Sequence, residues 1–374
     1  MIRIRPDKLR AAVSAIFARA GCAAEEADTI ARRLVEANLA GHDSHGVVRV
    51  PQYLDLVKSG AVLPGQHAKT VIDTVSLVVV DGQFGFGQVI GGEAMVLGIQ
   101  KARRCGVGVV ALRNASHLGR IGEWAEQCAA AGMASVHFVN VVGAGALVAP
   151  FGGTDARIST NPFACGMPRA DGRHVILDFA TSKFAEGKVR VALNKGVELP
   201  ADVLIDNKGK PTRAPKDLYA DPRGALLPMG DHKGYGIAMF CDLLAGLLTG
   251  GGCNVPDSPL QGKVINNMLS IVLDPAPCGD RPAAMQEMEH FIQWVCASPP
   301  AKPGEAVKLP GDPEREHRAE RMKNGVPLDD TTWKAIVASG LAVGVDPETL
   351  SLRASVRTHL NMLCGIRLHW GNRV

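Results

Sequence analysis

The sequence predicts an α/β fold with helical segments at both ends. Three observations carry this. Apolar residues recur at helical spacing over the first 60 residues, short β-branched runs alternate with helical stretches from about residue 70, and helical patterning returns after about residue 285.

The elements follow in order. Leu9, Val13, Ile16 and Phe17 share one helical face, and Gly21 stops that helix. Ala27, Ile30, Ala31, Leu34 and Val35 mark a second helix; Pro51 opens a third and Gly60 closes it. Thr70–Asp73 and Leu77–Asp81 are strand-like. A helix over Gly91–Arg104 leads to a strand over Gly108–Leu112 and a helix over Gly122–Ala131. Further strands are expected at Ala134–Val142, Arg157–Ile158, Phe163–Met167, Val175–Phe179 and Ile265–Leu273. Gly234–Leu248 has the composition of a buried helix, ended by glycines 250 to 252. Met285–Ala297 is amphipathic, Ser298–Gly304 is a proline-rich loop, and Asp312 with Pro313 starts a helix that Gly325 ends. The tail from Thr331 reads as helical and polar. The expected division is a helical segment over 1–70, an α/β core over 71–284 and a C-terminal helical segment over 285–374 that packs with the first.

Composition narrows the function. Apolar residues are 46% and charged residues 21%, so the chain can bury a core and is not disordered. A net charge of +4 is too weak for a nucleic-acid or membrane-surface partner. The longest apolar stretch, Ile237 to Leu248, is broken by Asp242 and is too short for a membrane span. The N-terminus lacks a signal-peptide pattern, and nine scattered cysteines with no CxxC suggest a reducing cytoplasm and no structural zinc.

The 42 glycines invite a search for a phosphate loop. Gly85-Phe-Gly87 would need glycine or alanine where Ile90 stands, and Gly143-Ala-Gly145 where Val148 stands. No Rossmann fingerprint is present, and these glycines are expected in turns and close packing.

Six segments could carry chemistry. Gly41-His42-Asp43-Ser44-His45-Gly46 with Arg49 packs proton-transfer and carboxylate-binding groups together. On one helix, His45 and Arg49 would share a face. The competing readings are a Ser44 helix cap with surface histidines, or a metal site on His42, Asp43 and His45, whose spacing fits no zinc signature. Asn114 to Arg120, with Ser116 and His117, is expected just past a strand end, where α/β folds bind ligands. Ile158 to Phe163 and Leu177 to Ser182 each place small polar groups at the edge of an apolar run, where turn chemistry is the stronger explanation. Asp231-His232-Lys233-Gly234 opens the most apolar helix, a plausible anion site, and Leu309 to Asp312 opens another with Asp312 as its natural N-cap.

In order, AGHDSHG (40–46) with Arg49, NASHLGRIGEWA (114–125), STNPF (159–163), LDFATS (177–182), DHKGYG (231–236) and LPGD (309–312) resemble the malate/L-lactate dehydrogenase family. The resemblance runs from about residue 5 to about residue 350. It is to the type 2, sulfolactate-dehydrogenase-like group, nearest its hydroxycarboxylate dehydrogenase branch. It implies a non-Rossmann mixed sheet binding NAD(H) or NADP(H), with NAD(H) the favoured of the two. It also implies a homodimer with its site near the interface. The implied reaction interconverts a small 2-hydroxy acid and its 2-oxo acid, with a cyclic-imine or ureidoglycolate-type substrate as the alternative. By motif, His45 would be the acid/base with Ser44 beside it, Arg49 the carboxylate clamp and His117 a second proton-transfer group. Gly119, Arg120 and Ile121 would line the cofactor, as would Ile176, Leu177, Asp178, Phe179 and Ala180. Thr160, Asn161 and Pro162 would lie near it, and His232, Lys233, Asn266, Leu309, Pro310, Gly311 and Asp312 would also meet it. Leu118 stands where many members have a histidine or large aromatic, Ser159 replaces a common glycine, and Cys253–Pro259 is short with two prolines.

Overall fold

A computed structural model describes residues 2–351. A short strand β1 (Ile2–Ile4) leads into α1 (Pro6–Arg19), whose first turn holds a proline, and α2 (Ala24–Leu39). After two 3-10 turns comes α3 (Val50–Lys58). These helices bury Leu9, Ile16, Phe17, Ile30, Leu34 and Tyr53 in one apolar cluster.

The core sheet begins with β2 (Lys69–Asp73) and β3 (Leu77–Asp81). It continues through α4 (Gly87–Cys105), β4 (Val107–Ser116), α5 (Gly122–Ala130), β5 (Ala134–Val142), β6 (Pro162–Met167) and β7 (Val175–Ala180). A lobe follows with α6 (Glu186–Lys195), β8 (Leu204–Ile205), β9 (Pro211–Thr212) and β10 (Ala225–Leu226). Then come α7 (His232–Cys241), a π-helical turn Asp242–Leu247 and β11 (Ile265–Leu273). The C-terminal part holds α8 (Arg281–Cys296), α9 (Asp312–Asn324), β12 (Val326–Leu328) and α10 (Asp330–Ala342).

The seven-stranded sheet has the order β2-β3-β4-β11-β5-β6-β7. Only β3 and β4 pair in parallel, across α4; the other neighbours are antiparallel. Helices α4 and α5 cover one face, and α7 with the π turn covers the other. Trp124, Ile90, Met95, Val110, Leu112 and Met268 form the core under α4 and α5. The lobe has its own cluster, including Val189, Leu204, Leu218 and Leu226, beside a three-stranded sheet ordered β10-β8-β9. β1 pairs antiparallel with β12, so the first strand and the last lie side by side.

Several elements differ from expectation. Strand β4 runs on to Ser116, so Asn114 to Ser116 lie within it and His117 is the first residue past its end. The strand continues through these polar residues by a bulge of its own: Arg113 and Asn114 together oppose Asn267 of β11, Asn114 adopts φ 55°, and its N–H donates to the Asn267 side chain at 3.0 Å. Arg157–Ile158 forms only a bridge to Val148. Helix α4 starts at Gly87, a turn early, because two glycines mask its first turns. The helix expected over Gly234–Leu248 is not buried all round: Phe240, Leu243, Leu247 and Leu248 are exposed. Helix α10 is not uniformly polar; Ile336 and Gly340 are buried, and Trp333 and Val337 pack on the N-terminal cluster. Strands β1 and β12, three residues each, are too short to show a period. The expected helical tail beyond residue 351 lies outside the described residues. No helix of the described residues is long and apolar enough to cross a membrane.

Candidate active site

The loop after α2 carries the first group of site residues. It is not one helix. Two 3-10 turns, Asp43–His45 and Val47–Arg49, are broken at Gly46, which is extended. The break follows from Asn38, whose side-chain oxygen accepts from the Val47 N–H at 2.8 Å while its amide donates to Asp43 at 2.6 Å. A Cβ on Gly46 would lie 2.2 Å from that oxygen, so only glycine permits the approach. From α9, Arg321 holds Asp43 through a fork at 2.6 and 3.1 Å. His42 turns to Glu314 on the same helix at 3.1 Å. His42, Asp43 and His45 therefore point to three different partners. No cluster suited to a metal ion occurs among the described residues.

His45 instead meets His117. Their rings stack with centroids 5.5 Å apart and planes 13° from parallel. Ser44 Oγ is 3.0 Å from His45 Nδ1, and the Tyr53 hydroxyl is 2.7 Å from His117 Nδ1. Gln88 Nε2 donates to Tyr53 at 2.8 Å and to the His117 carbonyl at 3.3 Å. Burial, then Arg49, His42 and Arg120, pushes the His45 pKa from 6.5 down to about 3. Burial, then Arg49 and His45, holds His117 well below its ordinary value. Both imidazoles are thus neutral at pH 7. Arg49 donates to the Ser44 carbonyl at 2.6 Å and to Gln52 at 2.8 Å, and its Nη2 has no partner among the described residues.

The far wall of the cleft is built from β7 and the start of α5. Asp178 accepts from the Gly122 N–H at 2.8 Å; burial raises its pKa against the pull of His42 and Arg120. Arg120 is 3% exposed and pairs with Glu126. Its Nε and Nη1 are buried with no protein partner among the described residues. The cleft holds about 510 Å³ and is lined by Ser44, His45, Arg49, His117, Gly119, Arg120, Ile121, Thr160, Pro162, Asp178, Phe179 and Ala180. The lobe closes the opposite side with Glu186, Gly187, Arg190, Leu218, Tyr219 and Arg223. There the Tyr219 hydroxyl donates to Glu186 at 2.8 Å and the Arg190 guanidinium stacks 3.8 Å over the Tyr219 ring.

Other expected site residues lie behind or beyond this cleft. Asn161 is fully buried and donates to Asp242 at 2.6 Å and to the Ala238 carbonyl at 3.0 Å. Asn266 accepts from the Leu118 N–H at 2.8 Å and donates to the Asn140 carbonyl at 2.8 Å, so it fixes the backbone beside His117. The Ile176 N–H donates to the Pro310 carbonyl at 3.1 Å, which lays Leu309 to Asp312 along β7, and Leu177 is exposed there. Gly311, not Asp312, is the N-cap of α9. The Asp312 carboxylate is taken by the Leu309 N–H at 2.8 Å and by Arg315 at 2.7 Å. His232 and Lys233 are exposed at the start of α7, where His232 meets the Phe151 ring. Sequence reasoning missed Gln52, Tyr53, Gln88 and the lobe residues. A signal for Tyr53 was available, since it lies four residues after Arg49 and is one of only three tyrosines.

This geometry defines a class: a mixed-sheet α/β protein whose cleft sets paired imidazoles beside an arginine with an unused Nη2. The particular membership is equally plain. The chain belongs to the malate/L-lactate dehydrogenase family, whose model matches residues 4–337. It is 44% identical to hydroxycarboxylate dehydrogenase B of Escherichia coli K12 over 351 residues, covering 93% of this chain and 96% of that one. Its fold is similar to the sulfolactate dehydrogenase of Methanocaldococcus jannaschii, with a TM-score of 0.81 and 30% identity over 93% of this chain and 99% of that one. It is also similar to a Δ1-piperideine-2-carboxylate reductase of Pseudomonas syringae, with a TM-score of 0.79 and 30% identity over 91% of this chain and all of that one.

Proposed function

We propose that this protein is an NAD(P)-dependent 2-hydroxyacid dehydrogenase that interconverts a small 2-hydroxy acid and its 2-oxo acid. The observation that carries the reading is the meeting of two neutral imidazoles with the spare Nη2 of Arg49 in one cleft. In oxidation, His45 takes the proton of the substrate hydroxyl; in reduction it returns one. Ser44 holds the Nδ1 side of that ring. Arg49 grips the carboxylate and fixes the reacting carbon beside the histidines.

A dinucleotide fits the far wall. The two unpartnered nitrogens of buried Arg120 are unfavourable by about 1–3 kcal/mol each and become favourable beside a phosphate. Gly119, Arg120, Ile121, Thr160, Pro162, Asp178, Phe179 and Ala180 would hold the cofactor, with Asn161 and Asn266 bracing them. The family resemblance extends it past the cleft to Ile176, Leu177, His232, Lys233 and the run from Leu309 to Asp312. When bound, the nicotinamide supplies or accepts the hydride at the second carbon of the acid. The sheet has one parallel pair and no phosphate-loop fingerprint, so the binding mode would be a non-Rossmann one.

The test is consumption of NADH and NADPH with a panel of 2-oxo acids. The likeness to the piperideine carboxylate reductase adds a cyclic imine acid to the panel. Turnover with at least one acid supports the reading, and none with either cofactor overturns it. The same reading carries a homodimer that covers the exposed apolar face of α7, and a reducing cytoplasm in keeping with eight unpaired cysteines among the described residues.

A further inference from the structure

We infer that Tyr53 and Gln88 are positioning residues that fix His117 as the tautomer protonated on Nε2, so that His117 presents a hydrogen-bond donor to the substrate oxygen and leaves proton exchange to His45. The functional half of this inference rests on the dehydrogenase reading; the tautomer itself does not.

A backbone carbonyl only accepts, so the end of Gln88 that lies 3.3 Å from the His117 oxygen is the amide nitrogen. The reversed amide would set two acceptors against each other. The same nitrogen is 2.8 Å from the Tyr53 oxygen, which therefore accepts from it. Tyr53 has one proton, and its remaining neighbour is His117 Nδ1 at 2.7 Å. That proton points at Nδ1, which must then carry its lone pair. A neutral imidazole has one proton, and here it sits on Nε2.

The surroundings hold this arrangement. Tyr53 is 1% exposed and Gln88 2%, so bulk water does not compete for either. Burial pushes the Tyr53 pKa up to about 12, which keeps its proton in place. Gln88 reaches the pair because Gly87 lets the first turn of α4 press on His117; a Cβ there would lie 2.3 Å from the His117 carbonyl oxygen. The orientation is held although Gln88 Oε1 has no partner among the described residues. An imidazolium at His117 would aim a second proton at the Tyr53 hydroxyl proton, so this ring is poorly placed to shuttle protons. His45 differs: its Nδ1 faces a serine hydroxyl, which rotates to donate or accept.

The experiment is ring nitrogen-15 NMR of histidine-labelled protein without ligand, with the His117 signals assigned by loss in His117→Asn. Protonation at Nε2 is expected; protonation at Nδ1 overturns the inference. In Gln88→Glu the introduced carboxylate can only accept, so Tyr53 would turn its proton toward it and the His117 proton would move to Nδ1. That variant should lose about 100-fold or more in kcat, as a wrong tautomer does. Tyr53→Phe keeps the ring and should show both tautomers, with a smaller loss in kcat and an unchanged KM. An unchanged tautomer in both variants overturns the inference, as does unchanged kcat. If the wild type turns over no 2-oxo acid, the dehydrogenase reading fails while the NMR result still decides the tautomer.

Discussion

At the residue scale the cleft divides labour between a few side chains. His45→Ala should lose at least about 100-fold in kcat and still bind reduced cofactor, since general acid–base catalysis contributes roughly that much. Near-wild-type turnover would remove His45 from the reaction. Arg49→Lys keeps the charge but loses the fork, so KM for the acid should rise about tenfold or more with a smaller change in kcat. An unchanged KM would dismiss the clamp. The depressed His45 pKa, about 3, makes a further statement. A histidine at 6.5 acting as base would lose about thirtyfold in kcat/KM between pH 8 and pH 5. The free enzyme already holds His45 as the base there, so kcat/KM for hydroxy acid oxidation should be nearly flat over that range. A steep acidic limb near 6.5 would contradict it. The residues named in the motifs were legible because proton-transfer and anion-binding side chains sit close together in sequence. Gln88 was not, because it reaches His117 from another helix across the fold.

At the element scale, strands and amphipathic helices with a clear period were readable, and β11 matches expectation at both ends. The misreadings have physical causes. Asn114 and Ser116 are polar for a strand, and only a bulge at Asn114 held by Asn267, some 150 positions on, explains why they stay in it. Residues 44–49 would put His45 and Arg49 on one face if they formed a single helix, and a bond from the Asn38 side chain breaks the run at Gly46 instead. Strand β5 supplies a stability prediction through His137, fully buried between Ser135 at 2.9 Å and Ser270 at 2.8 Å. Burial lowers its pKa from 6.5 to about 3. Above 6.5 both folded and unfolded chains hold it neutral. Between 6.5 and about 3 the unfolded chain takes up a proton that the folded one refuses, so stability falls as pH falls. The loss is about 1.4 kcal/mol per pH unit for this one group. The stability gap between wild type and His137→Gln, from urea unfolding, should therefore shrink by that amount per unit below pH 6.5. A gap independent of pH would refute it.

At the scale of the whole molecule, the outstanding surface is the apolar face of α7 and the π turn. Phe240, Leu247 and Leu248 are each more than half exposed, a patch that a soluble protein normally covers. Leu247→Glu should convert a dimer to monomers in sedimentation, with little change in the thermal midpoint of the monomer. A wild type that sediments as a monomer would end the dimer proposal. The sequence showed this helix as the most apolar in the chain but could not show which side faces outward, because composition alone does not separate a core helix from one buried by a second copy.

The central place of β11 has a consequence for how the chain comes together. Strands β4 and β5 flank it, yet they are made some 120 residues or more before it. Until residues 265–273 emerge, the two strands that frame the cleft have open edges and no partner between them. Such distant pairing makes folding slow, and a nascent chain stalled short of β11 carries unpaired edges prone to aggregation. The backbone support that Asn266 gives beside His117 arrives with that same strand. The sheet's keystone and the bracing of the histidine pair thus form in one late event, and a truncated chain would have neither.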